Sequence, residues 1–343
     1  MISITLSAPP KPNLFLHITG RRDDGYHNLE TLFQLLDGGV QLTFTPNKTG
    51  TISLSPQVEG VPESDNLIVR AAKLLQTKSG SQLGCHIELD KRLPMGAGLG
   101  GGSSNAATTL LALNALWHCH YSLKELAQLG VQLGADVPVF VEGKTAYAEG
   151  IGEQLIPTEI AECWYLVITP PCKVPTGQIF SHPELTRHSP PSKIRALSEE
   201  QYRNDCQAIA EKLYPQIKEV VEWLQTYGNP MMTGTGASVF CRCATQAEGE
   251  RILFNVPSQW TGFVAKGVNH SEVHKQIDNF FITLENHLFE KEFIATEKFS
   301  IADISAACAL DFARVVKKKA VKGIHPNIIR WRSNLSKRKS FNI

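Results

Sequence analysis

The sequence predicts an α+β protein in two halves, with a short helical extension at the C-terminal end. Three observations carry this prediction. Strand-like and helical segments are interspersed through the first 277 positions. A glycine-rich loop joins an alternating strand to an apolar helix at 93–116. A composition change at 151–170 leads into a proline-rich stretch, 170–191, that reads as a crossing between the halves. The boundaries are placed at 1–155, 156–277 and 278–343.

Along the chain, Met1 to Leu16 reads as a strand interrupted by Pro9, Pro10 and Pro12. The turn-like Arg21-Arg22-Asp23-Asp24-Gly25 precedes an apolar-rich segment from Asn28 to Leu36. Val40–Thr45 and Gly50–Leu54 read as short strands with turn chemistry between them. Asp65 to Gln76 places Leu67, Ile68, Ala71, Leu74 and Leu75 near one helical face. Cys85 to Leu93 alternates polar and apolar residues, as a strand with one solvated face does. An apolar helix from Ala106 to Leu116 follows the glycine loop, and Ser122 with Glu125 forms a capping box opening the next helix. The second half mixes helices (Gln207–Leu213, Ile217–Tyr227) with strands (Ala237–Cys243, Gly262–Ala265).

With 343 residues, 42% of them hydrophobic, the chain can bury two cores. A net charge of +1 gives no global pull toward nucleic acid or an anionic membrane. No apolar run reaches membrane-spanning length, and Met1 to Pro10 lacks a basic signal-peptide start. The eight cysteines are scattered, and neither Cys241-Arg242-Cys243 nor Cys119 between two histidines has zinc spacing. A reduced cytoplasmic enzyme is expected, with a small-molecule substrate and no obligate protein partner.

The chemistry concentrates in Pro94-Met95-Gly96-Ala97-Gly98-Leu99-Gly100-Gly101-Gly102-Ser103-Ser104. Five glycines in seven positions let the backbone approach a ligand closely. The helix that follows offers free N–H groups and a positive dipole end, a setting for phosphate. Gly96, Gly98 and Gly101 also satisfy G-x-G-x-x-G, but the half-solvated strand before them does not suit a dinucleotide fold. Gly143-Lys144-Thr145 looks like the end of a P-loop, yet Pro138 stands where that motif needs glycine. Three further segments join the loop. Lys11-Pro12-Asn13-Leu14 supplies a cation and an amide. Gly134-Ala135-Asp136-Val137-Pro138 sets one carboxylate among apolar residues, which is costly unless the acid is paired or caps the turn. Thr233-Gly234-Thr235-Gly236-Ala237-Ser238 is a second glycine-rich turn. A phosphate cradle, a base and a cation are what phosphoryl transfer needs.

In this order the segments resemble the three motifs of the GHMP small-molecule kinases, the family of galactokinase and of homoserine and mevalonate kinases. Several further stretches resemble the branch acting on cytidine-diphosphate methylerythritol: Ile18 to His27, Leu29 to Gln34, Ala148 to Glu153, Asn204-Asp205-Cys206 and Val264 to Asn269. The resemblance runs from Met1 to about Ile277. It implies a two-domain GHMP kinase fold and transfer of phosphate from ATP to the substrate's 2-hydroxyl in non-mevalonate isoprenoid biosynthesis. Position by position, it implies Asp136 as the base taking the hydroxyl proton and Lys11 as its partner, since a nearby cation favours an ionised carboxylate. It implies Pro94 to Ser104 as the ATP phosphate loop. Asn13, Tyr26, His27 and Phe180 match substrate contacts, with Tyr26 and Phe180 as stacking faces for cytosine. Magnesium is implied by ATP; its protein ligands are not assigned, Ser103 being a candidate.

From Asp278 onward the chain continues beyond that resemblance, with twelve Lys/Arg against seven Asp/Glu. Phe299 to Ala306 and His325 to Trp331 resemble the C-terminal helical domain of glutathione transferases, with Ser300 and Asp303 as a capping box. The glutathione-binding domain has no counterpart, so no transferase activity is expected. The basic stretch Arg314 to Lys322 reads as a solvated helix face.

Overall fold

The computed structural model describes residues 3–58, 60–90, 98–191, 201–273, 286 and 325–336. In the first half, β1 (Ile4–Ala8), β5 (Val40–Asn47), β7 (Gly84–Asp90) and β6 (Ile52–Ser55) form a sheet in that order. Strand β5 runs antiparallel to both β1 and β7, and β6 runs parallel to β7. Strand β5 alternates buried and half-buried residues, so Val40, Leu42 and Phe44 share the face covered by helices.

Four helices complete this half: α1 (Leu67–Ser79), α2 (Gly101–Leu116), α3 (Leu123–Val131) and α4 (Val137–Glu142). The Asn66 side chain caps α1 by accepting from the Ile68 N–H at 2.9 Å, and Gly80 ends it in the left-handed conformation. The capping box of Ser122 and Glu125 starts α3 as the sequence predicts. Helix α2 packs against β1, β5, α1, α3 and α4, and is buried at Ser104 and from Ala106 to Ala115. It begins five residues before the predicted Ala106, because Gly101 and Gly102 take helical backbone after Gly100 enters the left-handed region at φ +69°.

The predicted N-terminal strand divides at its prolines, β1 lying in one sheet and β2 (Asn13–Arg21) in another. The second sheet runs β2, β3 (His27–Phe33), β8 (Ala146–Glu149), β9 (Gln154–Pro157). A third holds β11 (Met231–Met232), β12 (Val239–Cys243), β10 (Trp164–Thr169), β13 (Thr261–Val268) and β4 (Leu35–Leu36). Strand β4 follows β3 yet pairs with β13, Leu36 opposite Gly267 and Leu35 opposite Val268. The first half thereby supplies an edge of the second half's sheet.

Along β10, Leu166 and Ile168 enter one core, whereas Tyr165 and Val167 enter a second with Leu14, Phe15 and Leu99. The first of these cores is shared with α5 (Thr176–Ser181), α6 (Gln207–Leu213), α7 (Pro215–Gln225) and α8 (Gln246–Phe254). The proline-rich stretch read as a crossing therefore carries structure of its own: α5 lies within it. Helix α7 starts two residues before the predicted Ile217, with Pro215 in the first turn, where its missing N–H is harmless.

In the C-terminal region, α9 (Pro326–Ser336) buries Ile328, Trp331 and Leu335 in the cluster that also holds the first-half core. The predicted capping box at Ser300 and the basic stretch Arg314 to Lys322 lie outside the described residues.

Candidate active site

Lys11 precedes β2, and its backbone N–H donates to the Leu99 carbonyl at 3.0 Å, tying the N-terminal segment to the glycine loop. Its side chain is 2% exposed. The ammonium has three neighbours: Asp136 Oδ2 at 3.1 Å, Asn13 Oδ1 at 3.0 Å, and the Phe33 ring with its centroid at 3.9 Å. Burial pushes the ammonium's pKa down, and the Asp136 charge and hydrogen bond oppose that. Asp136 stands at the start of α4 but makes no capping bond, which removes the capping reading of this residue. Its carboxylate pairs with Lys11 and is 35% exposed.

Asn13 is held from three sides. Its backbone N–H donates to Thr233 Oγ1 and its side-chain amide to Thr31 Oγ1, each at 2.9 Å, while Oδ1 accepts from Lys11. Thr233 in turn donates its hydroxyl to the Gly98 carbonyl at 2.9 Å. Asn204 braces the same turn, its amide donating to the Met232 and Gly234 carbonyls at 2.7 and 2.8 Å. The second glycine-rich turn thus closes on the first.

Glycine is required at two points of this closure. At Gly98, with φ +74°, a Cβ would lie 2.3 Å from the Thr233 carbonyl oxygen. At Gly100 it would lie 2.9 Å from the Phe140 ring and 3.2 Å from Lys11 Cε. Helix α2 has no side-chain cap at Gly100, so its first turn presents N–H groups at a positive dipole end without a capping side chain. Ser103 lines the cleft, Gly101 and Gly102 are exposed, and Leu99 is a core residue. Among the described residues the buried Ser104 hydroxyl and Asn105 Oδ1 have no hydrogen-bond partner. Pro94, Met95, Gly96 and Ala97 lie outside the described residues.

The cleft, of about 650 Å³, is also lined by Tyr26, His27 and Phe180. Tyr26 is 61% exposed. Phe180, expected as a stacking face for cytosine, stacks on His27, with ring centroids 5.1 Å apart and planes 25° apart. Arg187 Nε donates to His27 Nε2 at 3.1 Å. His27 has its pKa lowered by burial first, then by the Arg187 and Arg21 charges. Arg187 was not singled out from the sequence, and Thr31, Phe33 and Thr233 entered only as members of the stretches Leu29 to Gln34 and Thr233 to Ser238; the partners that give them their roles are remote in the chain. Gly143-Lys144-Thr145 serves as a joint: Gly143 ends α4 in the left-handed conformation, and the Thr145 hydroxyl donates to the Val268 carbonyl at 2.9 Å.

The model for the GHMP kinases N terminal domain matches residues 66–144, and that for GHMP kinases C terminal matches 182–262. A 4-diphosphocytidyl-2-C-methyl-D-erythritol kinase of Marinobacter nauticus is 54% identical over 280 residues, 80% of this chain and 97% of that protein. One of Pseudomonas entomophila is 52% identical over 279 residues, 81% and 98% of the respective chains. The chain belongs to the 4-diphosphocytidyl-2-C-methyl-D-erythritol kinase family. A crystal structure of a 4-(cytidine 5'-diphospho)-2C-methyl-D-erythritol kinase superposes with a TM-score of 0.69 at 32% identity, covering 77% of this chain and all of that one. Mevalonate kinase from Methanococcus jannaschii, at 14% identity and a TM-score of 0.56, shares the fold. Membership in the kinase family covers the α+β architecture, and β4 and β13 join its two halves. The model for the Glutathione S-transferase, C-terminal domain matches residues 268–339, which include α9. No helix among the described residues is long and apolar enough to cross a membrane.

Proposed function

We propose that this kinase transfers the γ-phosphoryl group of ATP to the 2-hydroxyl of 4-diphosphocytidyl-2-C-methyl-D-erythritol, in isoprenoid precursor synthesis. The observation that carries the reading is the buried Lys11 beside a cleft-facing Asp136, in a cleft that also reaches Ser103 and the His27–Phe180 stack. The acceptor hydroxyl oxygen bonds to the γ-phosphorus as the bond to the β,γ-bridging oxygen breaks. ADP leaves with that electron pair, and the hydroxyl proton passes to the Asp136 carboxylate.

Lys11 orients Asp136 and balances its charge, while Asn13 and Phe33 fix the ammonium. The first-turn N–H groups of α2, with Gly98 and Gly100 keeping the backbone close, bind phosphate oxygens. Tyr26, His27 and Phe180 bind the cytosine, an aromatic surface with one polar edge.

Magnesium takes oxygen ligands. The Ser103 hydroxyl, which lines the cleft, fits such an ion. Among the described residues no cluster of three or more His, Cys, Asp or Glu could hold a metal, so Ser103 would hold it together with nucleotide phosphates. When bound, the ion neutralises charge on the transferring group. The free cysteines among the described residues support a reducing, cytoplasmic setting.

The test is ADP release by the full chain with ATP and the cytidyl substrate, beside Asp136→Asn. Substrate-dependent release that falls by orders of magnitude in the variant is expected. Release without the acceptor, or equal release by the variant, would refute the reading.

A further inference from the structure

Arg187 spends its whole guanidinium on one corner of the cleft. Nε donates to His27 Nε2 at 3.1 Å. Nη2 donates to the Phe180 and His182 carbonyls at 3.0 and 2.7 Å, and Nη1 to the Leu185 and Pro183 carbonyls at 3.2 and 3.5 Å. The first two carbonyls belong to the C-terminal end of α5, where a cation is favoured. One side chain therefore fixes both members of the His27–Phe180 stack, the imidazole by its ring nitrogen and the phenyl by its backbone.

A guanidinium is always charged and offers only donors. The ring nitrogen that receives Nε–H must carry a lone pair, so the neutral imidazole holds its proton on Nδ1. Among the described residues Nδ1 has no protein partner, and His27 lines the cleft. We propose that Arg187 is a positioning residue that sets the tautomer and plane of His27, so that the cleft presents an Nδ1–H donor to an acceptor atom on the edge of the substrate's base. The proposal rests on reading this corner as the cytosine site, because cytosine carries a ring nitrogen and a carbonyl as adjacent acceptors. The depressed pKa of His27 agrees with it, since a second proton would have to face Arg187 and Arg21. Lysine could not replace Arg187: a point cation on a flexible stem lacks the planar fork that reaches a ring and four carbonyls together.

The test uses the full chain with ¹⁵N-labelled histidine. Long-range ¹H–¹⁵N correlation in the wild type is expected to show His27 with Nδ1 protonated and Nε2 bare. In Arg187→Lys the ring is expected to lose that single tautomer. The KM for the cytidyl substrate should rise about tenfold, the worth of one hydrogen bond, with kcat within about twofold and the KM for ATP unchanged. A wild-type ring protonated on Nε2 overturns the proposal, as does Arg187→Lys with unchanged tautomer and KM. The wild-type spectrum judges the tautomer even where the variant fails to fold. Titration with CMP separates the two readings: an Nδ1–H ring in a protein that CMP does not perturb overturns the base-reading role and the cytosine site while leaving the tautomer standing.

Discussion

The Lys11 ammonium and the Asp136 carboxylate stand 3.1 Å apart with unequal access to solvent, the cation sealed and the acid open to the cleft. The acid is thus available to a substrate while its partner has nowhere else to go. Removing either member has different consequences.

Asp136→Asn leaves Lys11 buried with Asn13 and Phe33 but without a counter-charge. The expected result is loss of turnover by at least about a hundredfold, the range of a general base, and a stability loss of about 1–2 kcal/mol, lowered from the fully buried case by the exposure of Asp136. Steady-state kinetics and urea denaturation read the two effects. Unchanged stability would mean the cation relaxes into solvent.

Two glycines of the loop separate folding from binding. Gly98→Ala is expected to destabilise the protein by at least about 2 kcal/mol, since its Cβ meets the Thr233 carbonyl at 2.3 Å in a left-handed backbone. At Gly101 a Cβ meets nothing within 4 Å. Gly101→Ala should therefore hold or slightly raise the melting temperature, as alanine favours a helix, while raising the KM for ATP through closeness to the phosphates. A normal KM would place the phosphates away from the start of α2.

Thr233→Val keeps the side-chain shape and deletes a hydroxyl with two partners, the Asn13 N–H and the Gly98 carbonyl. Leaving both unsatisfied should cost about 2 kcal/mol and loosen the glycine loop, seen as faster amide exchange at Gly98 and Gly100.

The depressed His27 pKa fixes the sign of a pH effect. A group lowered on folding stabilises the native state above its unfolded value, near 6.5, and that contribution is lost as pH falls through the lower folded value. Stability should decline below about pH 6.5. His17 is lowered as well, by burial first, with Arg203 adding and Asp205 opposing. Denaturation of His27→Asn across pH isolates the His27 share: the difference from wild type should shrink toward acid. A constant difference would count against it.

Features marked by neighbouring residues were legible in the sequence: the Ser122 capping box, the loop leading into α2, and the Lys11 and Asp136 segments. The meeting of those two segments came from family resemblance, since 125 positions separate them. The role of Arg187 was illegible, because an arginine in a proline-rich stretch looks like surface and its ring partner lies 160 positions away. The prolines at 170–191 read as a crossing, and six helical residues between them were missed because so short a helix has almost no periodicity to detect. The Thr233 turn was legible as a turn, but not as the clasp on Gly98.

That clasp sets an order of events during synthesis. Thr233 lies 220 residues after Asn13 and 135 after Gly98. A ribosome adding roughly 5–20 residues per second leaves the glycine loop without its Thr233 partner for on the order of ten seconds after it emerges. A nascent chain therefore holds Lys11, Asp136 and the start of α2 before it holds the turn that closes over them. Translation has to pass the second glycine turn before the Asn13 N–H and the Gly98 carbonyl meet their Thr233 partner.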